Sequence, residues 1–238
     1  RVRIWRHQHG IRLKDCWYSQ YRNIYTNTTS TAIELTTANG VVVENCIIHG
    51  VNDVNAYALN MSGANISIRN NYFETLNVAR IINVHSHTAT IENNYMENIT
   101  SPNGIMVSNS WQVMVLNNYL YCNVENGYGV NRGIHFYKTD GGFIANNYLI
   151  GCTEFTLYSS NSDNIVIGSN YLDESDGAVF GIPITMWGTQ RARMVTRGGS
   201  TANRPSDPVA YEMYFDTNLG KPIWYNGTNW VDATGTTV

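Results

Sequence analysis

Ile66-Ser-Ile-Arg-Asn-Asn-Tyr-Phe73 decides the fold, because close copies of this stretch return along the chain. Its second asparagine, or the residue in that place, recurs at intervals of 30, 25, 23, 24, 29 and 23 residues. The clear copies are Thr90-Ile-Glu-Asn-Asn-Tyr-Met96, Met114-Val-Leu-Asn-Asn-Tyr-Leu120, Phe143-Ile-Ala-Asn-Asn-Tyr-Leu149 and Val166-Ile-Gly-Ser-Asn-Tyr-Leu172, and the weaker ones are Ile11-Arg-Leu-Lys-Asp-Cys-Trp-Tyr18 and Val41-Val-Val-Glu-Asn-Cys-Ile-Ile48. A period of about 20–50 residues predicts stacked supersecondary units.

Each repeat has the composition of extended chain. Val, Ile, Tyr, Phe and Thr dominate it, whereas runs of Ala, Leu, Glu and Lys at helical spacing are missing. A second extended stretch precedes each copy, and a third, less regular one follows it. Three short strands per repeat make a parallel β-helix, so we predict an all-β solenoid of about seven turns over residues 1–185.

The register of the repeat predicts which side chains stack inside the solenoid. We expect an internal column of Ile68, Ile91, Val115, Ile144 and Ile167, and a corner ladder of Asn71, Asn94, Asn118, Asn147 and Asn170. Asparagine suits such a corner because it tolerates left-handed backbone angles and because its amide bonds to copies above and below. The repeated asparagines are therefore predicted to be structural.

The repeated stretch stops before the C-terminus. Residues 186–197 are predicted to form a linker, and residues 198–238 a small C-terminal β module that serves as a trimer tip or cap. Asn226-Gly227 lies between two runs that alternate aromatic and polar residues, which is a strong hairpin signal.

Composition excludes several classes of protein. The 238 residues are 43% hydrophobic and 14% charged, which is not a disordered composition. The net charge of -3 argues against a nucleic-acid partner. No apolar run approaches the roughly 18 residues of a membrane span, so we predict no membrane insertion. Because the chain begins at Arg1 with strand-like residues, we expect it to be a fragment of a longer protein.

The four cysteines are Cys16, Cys46, Cys122 and Cys152. In-register neighbours on adjacent turns point the same way, which is poor disulfide geometry, and none shows the short paired spacing of a zinc site. We therefore predict small, buried, unpaired residues, and neither a metal site nor a cofactor.

The repeat resembles the right-handed, single-stranded parallel β-helices of the pectate-lyase-like superfamily, which includes bacteriophage tailspikes. This resemblance covers roughly residues 1–185. The C-terminal stretches Ser200-Thr-Ala-Asn-Arg-Pro205, Tyr214-Phe-Asp-Thr217 and Gly220-Lys-Pro-Ile-Trp-Tyr-Asn-Gly-Thr-Asn-Trp-Val-Asp-Ala-Thr-Gly235 look like a short module that closes many phage tail-fibre and tailspike chains. Tyr225 stands where that module would have a second tryptophan.

The resemblance implies a phage tail protein that is located in the virion tail after assembly in the host cytoplasm. Such a protein is commonly a homotrimer that binds a bacterial surface glycan and sometimes cleaves it. A trimer is physically reasonable, because apolar side chains on the outer faces favour a partner: Met106, Met114, Leu116, Phe143 and Val166.

The fifth unit is the first place to look for a binding site, because the segment from Cys122 to Arg132 lengthens its turn. Insertions on solenoids tend to build the binding face. Aromatic, amide, imidazole and guanidinium groups suit sugar rings and their hydroxyls. The predicted binding residues are Tyr128 and Arg132 of this turn, the outward His135 and Tyr137, and Asn83 and Tyr158 on nearby turns.

Glycan hydrolysis needs two carboxyl groups about 5–10 Å apart. Glu44 and Glu92 lie two turns apart with Arg69 between them, so they are one candidate pair, and Glu125 of the long turn is another candidate acid. The alternative for Glu44, Arg69 and Glu92 is a salt-bridge ladder on a solvated face.

Three functions remain open from the sequence. The first is a phage tailspike or tail-fibre fragment that recognises a bacterial surface polysaccharide as its receptor. The second is a depolymerase, a glycoside hydrolase or lyase, that acts on capsule or O-antigen. The third is a structural shaft or bacterial adhesin without catalysis.

Overall fold

The computed structural model describes residues 2–7, 9–172, 179–180, 185–186, 197–204, 208 and 213–238. The chain divides into two compact units, Arg1–Ala192 and Arg193–Val238. Nearly all of the predicted linker, 186–197, lies outside the described residues.

The described residues of the first unit form strands and one short 3-10 helix, Val124–Asn126. Its strands are β1 (Val2–His7), β2 (Ile11–Lys14), β3 (Gln20–Arg22), β4 (Ile24–Thr28), β5 (Ile33–Glu44), β6 (Ile47–His49), β7 (Asn52–Arg69), β8 (Tyr72–Ser86), β9 (Ala89–Glu92), β10 (Tyr95–Ser108), β11 (Trp111–Leu116), β12 (Tyr119–Tyr121), β13 (Gly129–Tyr137), β14 (Asp140–Ala145), β15 (Tyr148–Ile150), β16 (Cys152–Ser160), β17 (Asp163–Ile167), β18 (Tyr171–Leu172), β19 (Val179–Phe180) and β20 (Thr185–Met186).

These strands pair in parallel with the strands one turn away and form three faces. On the first face, Tyr72 pairs with Tyr95, and Tyr95 with Tyr119. The second face pairs Ile82 with Ile105 and Ile105 with Ile134, and the third pairs Ile68 with Ile91 and Ile91 with Val115. The predicted all-β parallel β-helix of about seven turns is thereby confirmed.

The core is a set of apolar columns that run along the solenoid. The predicted column Ile68, Ile91, Val115, Ile144 and Ile167 is buried, with at most 4% of any side chain exposed. Each strand alternates inward and outward residues, so every turn adds the same kind of side chain to the same column. The four cysteines are buried and free, as predicted.

The asparagine corner is confirmed, and two consecutive residues of the repeat have different roles in it. The ladder residues Asn71, Asn94, Asn118, Asn147 and Asn170 are buried, and each Oδ1 accepts the backbone N–H of the residue one turn before, at 3.0–3.1 Å. Their backbones are not the left-handed ones, which contradicts our expectation. The residue before four of them carries that conformation, with φ of 54–57° at Asn70, Asn93, Asn117 and Asn146, whereas Ser169, before Asn170, has no positive φ.

The tyrosine that follows each ladder asparagine lies on the outer side of the first face. Five such rings, at Tyr72, Tyr95, Tyr119, Tyr148 and Tyr171, stack with centroids 4.4–5.2 Å apart and planes within 10° of parallel. Each ring therefore covers the faces of its neighbours, and the stack presents ring edges to solvent.

The second unit contains β21 (Arg197–Gly199), β22 (Met213–Asp216), β23 (Lys221–Tyr225) and β24 (Trp230–Val231), with a 3-10 helix at Thr201–Asn203. The last three strands are antiparallel, which confirms the predicted small C-terminal β module. Asn226 begins the loop of the predicted hairpin, where its Oδ1 accepts the N–H groups of Thr228 and Asn229.

Asp216 is the centre of the second unit. Its side chain is fully buried, Arg204 donates to it at 2.8 Å and Thr201 at 2.8 Å, and the N–H groups of Asn218 and Leu219 complete its hydrogen bonds. Burial by itself raises the pKa of Asp216, but these hydrogen bonds outweigh it and hold the pKa below the ordinary 3.8.

We expect acid to loosen the second unit. A carboxyl group whose pKa is lowered on folding stabilises the fold above its unfolded value, and this contribution is lost as the pH falls through the folded value. Hydrogen exchange at the amides of Asn218 and Leu219, corrected for the intrinsic rate, should therefore lose protection as the pH falls below 3.8. Asp216→Asn should remove most of this pH dependence, and protection that stays constant down to pH ~2 in the wild type would contradict the prediction.

Candidate functional site

A row of outward side chains runs along the second face, one from each turn. The parallel register aligns Asn60, Asn83, Met106, His135 and Tyr158. Although they point away from the core, Asn83, Met106 and His135 are only 5–9% exposed. Neighbouring side chains therefore cover this row, which we call the central row.

A second row of outward side chains lies beside the central row, because the strands interrupt the alternation of inward and outward residues. Ile81 and Ile82 are both buried, so Arg80, three residues before Asn83, points to the same side as Asn83. Its Nη1 donates to Asn83 Oδ1 at 3.0 Å. The register extends this arginine row through Tyr57, Arg80, Asn103, Arg132 and Phe155. Together the two rows form what we call the polar face.

Glycines permit this break on two turns. Gly104, one turn after Ile81, and Gly133, two turns after it, occupy the position that Ile81 has. A Cβ on Gly133 would lie 2.6 Å from the backbone oxygen of Thr156, and one on Gly104 would lie 2.4 Å from that of Gly133. Glycine is therefore required at these two positions behind the polar face.

His135 is the best-fixed side chain of the polar face. Its Nδ1 lies 3.0 Å from Asn103 Oδ1, and its Nε2 lies 3.3 Å from the hydroxyl of Ser160. Because the Asn103 oxygen accepts, Nδ1 carries the proton and Nε2 accepts from Ser160. Burial, and then the charges of Arg132 and Arg80, lower the pKa of His135 to about 4, so the imidazole is neutral at neutral pH.

Arg132 connects the two rows. Its guanidinium carbon lies 4.6 Å from the centroid of Tyr158, and Nη2 lies 3.4 Å from Glu154 Oε2. Glu154 also accepts from the amide of Asn131 at 2.9 Å. Arg132 Nε is buried and has no hydrogen-bond partner among the described residues.

Four of the six residues predicted to bind belong to the polar face, namely Asn83, Arg132, His135 and Tyr158, and Tyr137 lies beside His135. Tyr137 and Tyr158 both contact the imidazole, with ring centroids 6.3 and 4.7 Å from that of His135. Tyr128 instead packs against the core with part of its ring, and Glu125 lies exposed in the 3-10 helix of the long turn. Within the described residues no hydrogen bond or ion pair joins Glu125 to the polar face.

Glu44 and Glu92, the other candidate acids, lie on the third face of the solenoid. Glu44 is 7% exposed, and its carboxylate pairs with Arg22 on one side and with Arg69 at 2.6 Å on the other. Glu92 follows Arg69 in the register. This geometry favours the salt-bridge ladder over an acid pair.

Glu44→Gln is expected to lower stability and to leave glycan chemistry unchanged. The substitution removes the charge shared by two arginines that are themselves 38–45% exposed, so we expect a loss of about 1–2 kcal/mol. Guanidinium denaturation measures this loss, with the more exposed Glu92→Gln as the control. Oligosaccharide release that disappears in Glu44→Gln, with an unchanged unfolding midpoint, would instead identify a catalytic acid.

Sequence reasoning missed Arg80, Asn103 and Glu154. Strict alternation counted back from the outward Asn83 places Arg80 inside the solenoid. Arg80 is outward because the two residues between them are both buried isoleucines. The signal was present in the register: Arg80, Asn103 and Arg132 occupy the same place in successive repeats, three residues before Asn83, Met106 and His135.

A groove of about 650 Å³ lies on the third face, away from the polar face. Met114 and Phe143 are paired neighbours there and are 43% and 39% exposed. Asn65, Thr88 and Gln112 also line it. Met106, expected to be part of an exposed apolar patch, is instead buried in the central row.

The described residues contain no group of three or more His, Cys, Asp or Glu side chains arranged to hold a metal ion. Among the same residues, no helix has the length and apolar character needed to cross a membrane.

Comparison with known proteins gives two matches. A family model described as "Periplasmic copper-binding protein (NosD)" matches residues 1–200. The crystal structure of tailspike protein 3 of bacteriophage CBA120 is similar at 17% identity and a TM-score of 0.33. The match covers 97% of this chain and 48% of the tailspike chain, so this protein spans about half of its length. No curated protein sequence matches. Since the family model covers most of the 238 residues, the chain belongs to the NosD family of β-helical proteins.

Proposed function

We propose that this protein binds a bacterial surface polysaccharide through its polar face, as the receptor-binding part of a phage tail. The observation that carries the proposal is the double row itself. Over five turns it presents amide, imidazole, guanidinium and aromatic groups, and hydrogen bonds and a cation–π contact hold several of them in place.

The chemistry of the polar face suits a sugar. Saccharide hydroxyls both donate and accept hydrogen bonds, and the amides of Asn83 and Asn103 do the same. Tyr158 and Phe155 add apolar ring surface with centroids 5.0 Å apart. The turns repeat about every 4.8 Å along the solenoid, so a polymer lying along its axis meets a further pair of these side chains at each turn.

The assignment to a phage tail rests on the C-terminal module. Its stretches from Ser200 to Gly235 resemble the module that closes many tail-fibre and tailspike chains. The described part of this unit is a small sheet closed by Asp216 and Arg204. Location in the virion tail and assembly as a homotrimer are parts of the same proposal, and the exposed Met114 and Phe143 offer apolar surface for a subunit contact.

Copper binding, which the family description names, is not part of the proposal. The described residues fit copper poorly, because their cysteines are buried in the core and no three His, Cys, Asp or Glu side chains converge. Burial raises the pKa of the Cys122 thiol to about 11, which disfavours the thiolate that a metal requires.

Binding without cleavage is favoured over depolymerase activity. Hydrolysis needs a pair of carboxyl groups, and Glu154 is the carboxylate that contacts Arg132 on the polar face. Glu44 is engaged by two arginines on another face.

A panel of purified capsular polysaccharides and lipopolysaccharides tests the proposal. Binding is measured by biolayer interferometry, and oligosaccharide release by size-exclusion chromatography after prolonged incubation. We expect binding to at least one polysaccharide without release. Absence of binding across a broad panel would overturn the proposal, and release that is lost in Glu125→Gln would replace it with a depolymerase.

A further inference from the structure

The polar face contains two arginines that lie two turns apart and point to the same side of the solenoid. Arg80 and Arg132 both pair in the register with Asn103, which lies between them. Two strand spacings put their backbones about 10 Å apart. Asn103 is 8% exposed and its Oδ1 is occupied by His135, so the two arginines flank a short stretch of the polar face.

The positive charge of Arg80 and Arg132 is only partly compensated. Arg80 donates to the amide oxygen of Asn83, and it makes no ion pair with any described residue. Arg132 has Glu154 at 3.4 Å, but that carboxylate is 42% exposed and shared with Asn131. His135 is neutral, so it neither adds nor removes charge. One guanidinium charge is therefore left without a counter-charge.

Arg132 also keeps an unsatisfied donor. Its buried Nε has no partner among the described residues, although buried polar atoms are nearly always hydrogen-bonded. A guanidinium presents its N–H groups in a planar fork that matches the two oxygens of a carboxylate or phosphate. The Arg132 side chain is 32% exposed, so the outer part of its guanidinium suits an anionic oxygen.

We propose that the ligand of the polar face is an acidic polysaccharide, whose anionic group binds between Arg80 and Arg132. The anion is a uronate carboxylate or a phosphodiester, since both offer the paired oxygens that a guanidinium recognises. This inference rests on the proposed function, because it names the class of polysaccharide that the same face binds.

The alternative is that both arginines only support aromatic rings. Arg80 lies 5.5 Å from the ring centroid of Tyr57 and Arg132 lies 4.6 Å from that of Tyr158. In that case each substitution would lower stability a little and would affect neutral and acidic polymers equally. The two possibilities therefore differ in which ligands an arginine substitution affects.

The test compares chemically matched polymers. Each acidic polysaccharide that binds is measured again after carboxyl reduction to the neutral sugar, or after removal of phosphate with hydrofluoric acid. We expect the treatment that removes the anionic group to lower the affinity at least tenfold. A hydrogen bond to a charged group raises affinity on the order of tenfold to a hundredfold. The two arms distinguish carboxylate from phosphate.

Variants then locate the effect. Arg80→Gln and Arg132→Gln should each weaken binding of the acidic polymer about tenfold or more, with little effect on its neutralised form. Arg3→Gln, an exposed arginine on β1, is the matched control. Unfolding midpoints show whether any variant has lost its fold, and Arg132→Lys keeps the charge while removing the fork.

The outcomes separate this inference from the proposed function. Equal affinity for a polymer before and after neutralisation, or unchanged binding in both glutamine variants, would overturn the acidic ligand and leave polysaccharide binding standing. Absence of binding to every polysaccharide would overturn both. Loss confined to the acidic polymer and to the Arg80 and Arg132 variants supports the inference.

Discussion

Asn118→Ala is expected to destabilise the solenoid by about 3–6 kcal/mol, because it breaks the buried ladder at its middle. Asn118 Oδ1 accepts from the backbone N–H of Asn94 at 3.1 Å and from its Nδ2 at 2.9 Å. Asn118 Nδ2 donates to the backbone oxygen of Ile91 and to Asn147 Oδ1. Alanine removes all four hydrogen bonds and admits no water to replace them, since the site is 1% exposed.

The adjacent asparagine supplies the control. Asn117 belongs to the same repeated phrase but is exposed, and its backbone has a φ of 54°. Asn117→Gly retains that conformation and should change stability by less than about 1 kcal/mol. Guanidinium denaturation followed by circular dichroism gives the two values, and hydrogen exchange at the amide of Asn94 locates the defect. Similar losses in the two variants would mean that the ladder contributes little.

This pair of residues also shows how far the sequence predicts the fold. The spacing of the repeat predicts a parallel β-helix, the internal column through Ile68 and the buried asparagine ladder. It does not reveal that the two asparagines have separate roles, because both suit a corner by composition. Only the backbone shows that the first carries the left-handed angle and the second makes the hydrogen bonds.

The candidate site was less accessible to sequence reasoning. His135, Tyr137 and Tyr158 follow from alternation along the strands, and the structure brings them together. The outward position of Arg80 does not follow from this alternation. Ile81 and Ile82 are both buried, so the outward residues before them are shifted by one position. Glu125 and Tyr128 were predicted from the length of their turn, which does not determine the direction in which a loop folds.

Tyr158→Ala is expected to weaken polysaccharide binding about 30-fold, a loss of about 2 kcal/mol that is typical of a central binding residue. This ring contacts members of both rows: His135 at 4.7 Å, Phe155 at 5.0 Å and the guanidinium of Arg132 at 4.6 Å. Its removal takes away apolar surface for the sugar and also the support that orients Arg132. The affinity is measured on the best polysaccharide of the panel.

Two matched variants make the result specific to the polar face. Tyr158→Phe keeps the ring and should bind within about threefold of the wild type, because the expected contribution comes from the ring face. Tyr171→Ala removes an equally outward tyrosine, 45% exposed and stacked on Tyr148, from the first face of the solenoid. It should leave binding unchanged. If Tyr171→Ala weakens binding while Tyr158→Ala does not, the glycan lies along the tyrosine stack, and the polar face is a structural feature of the solenoid.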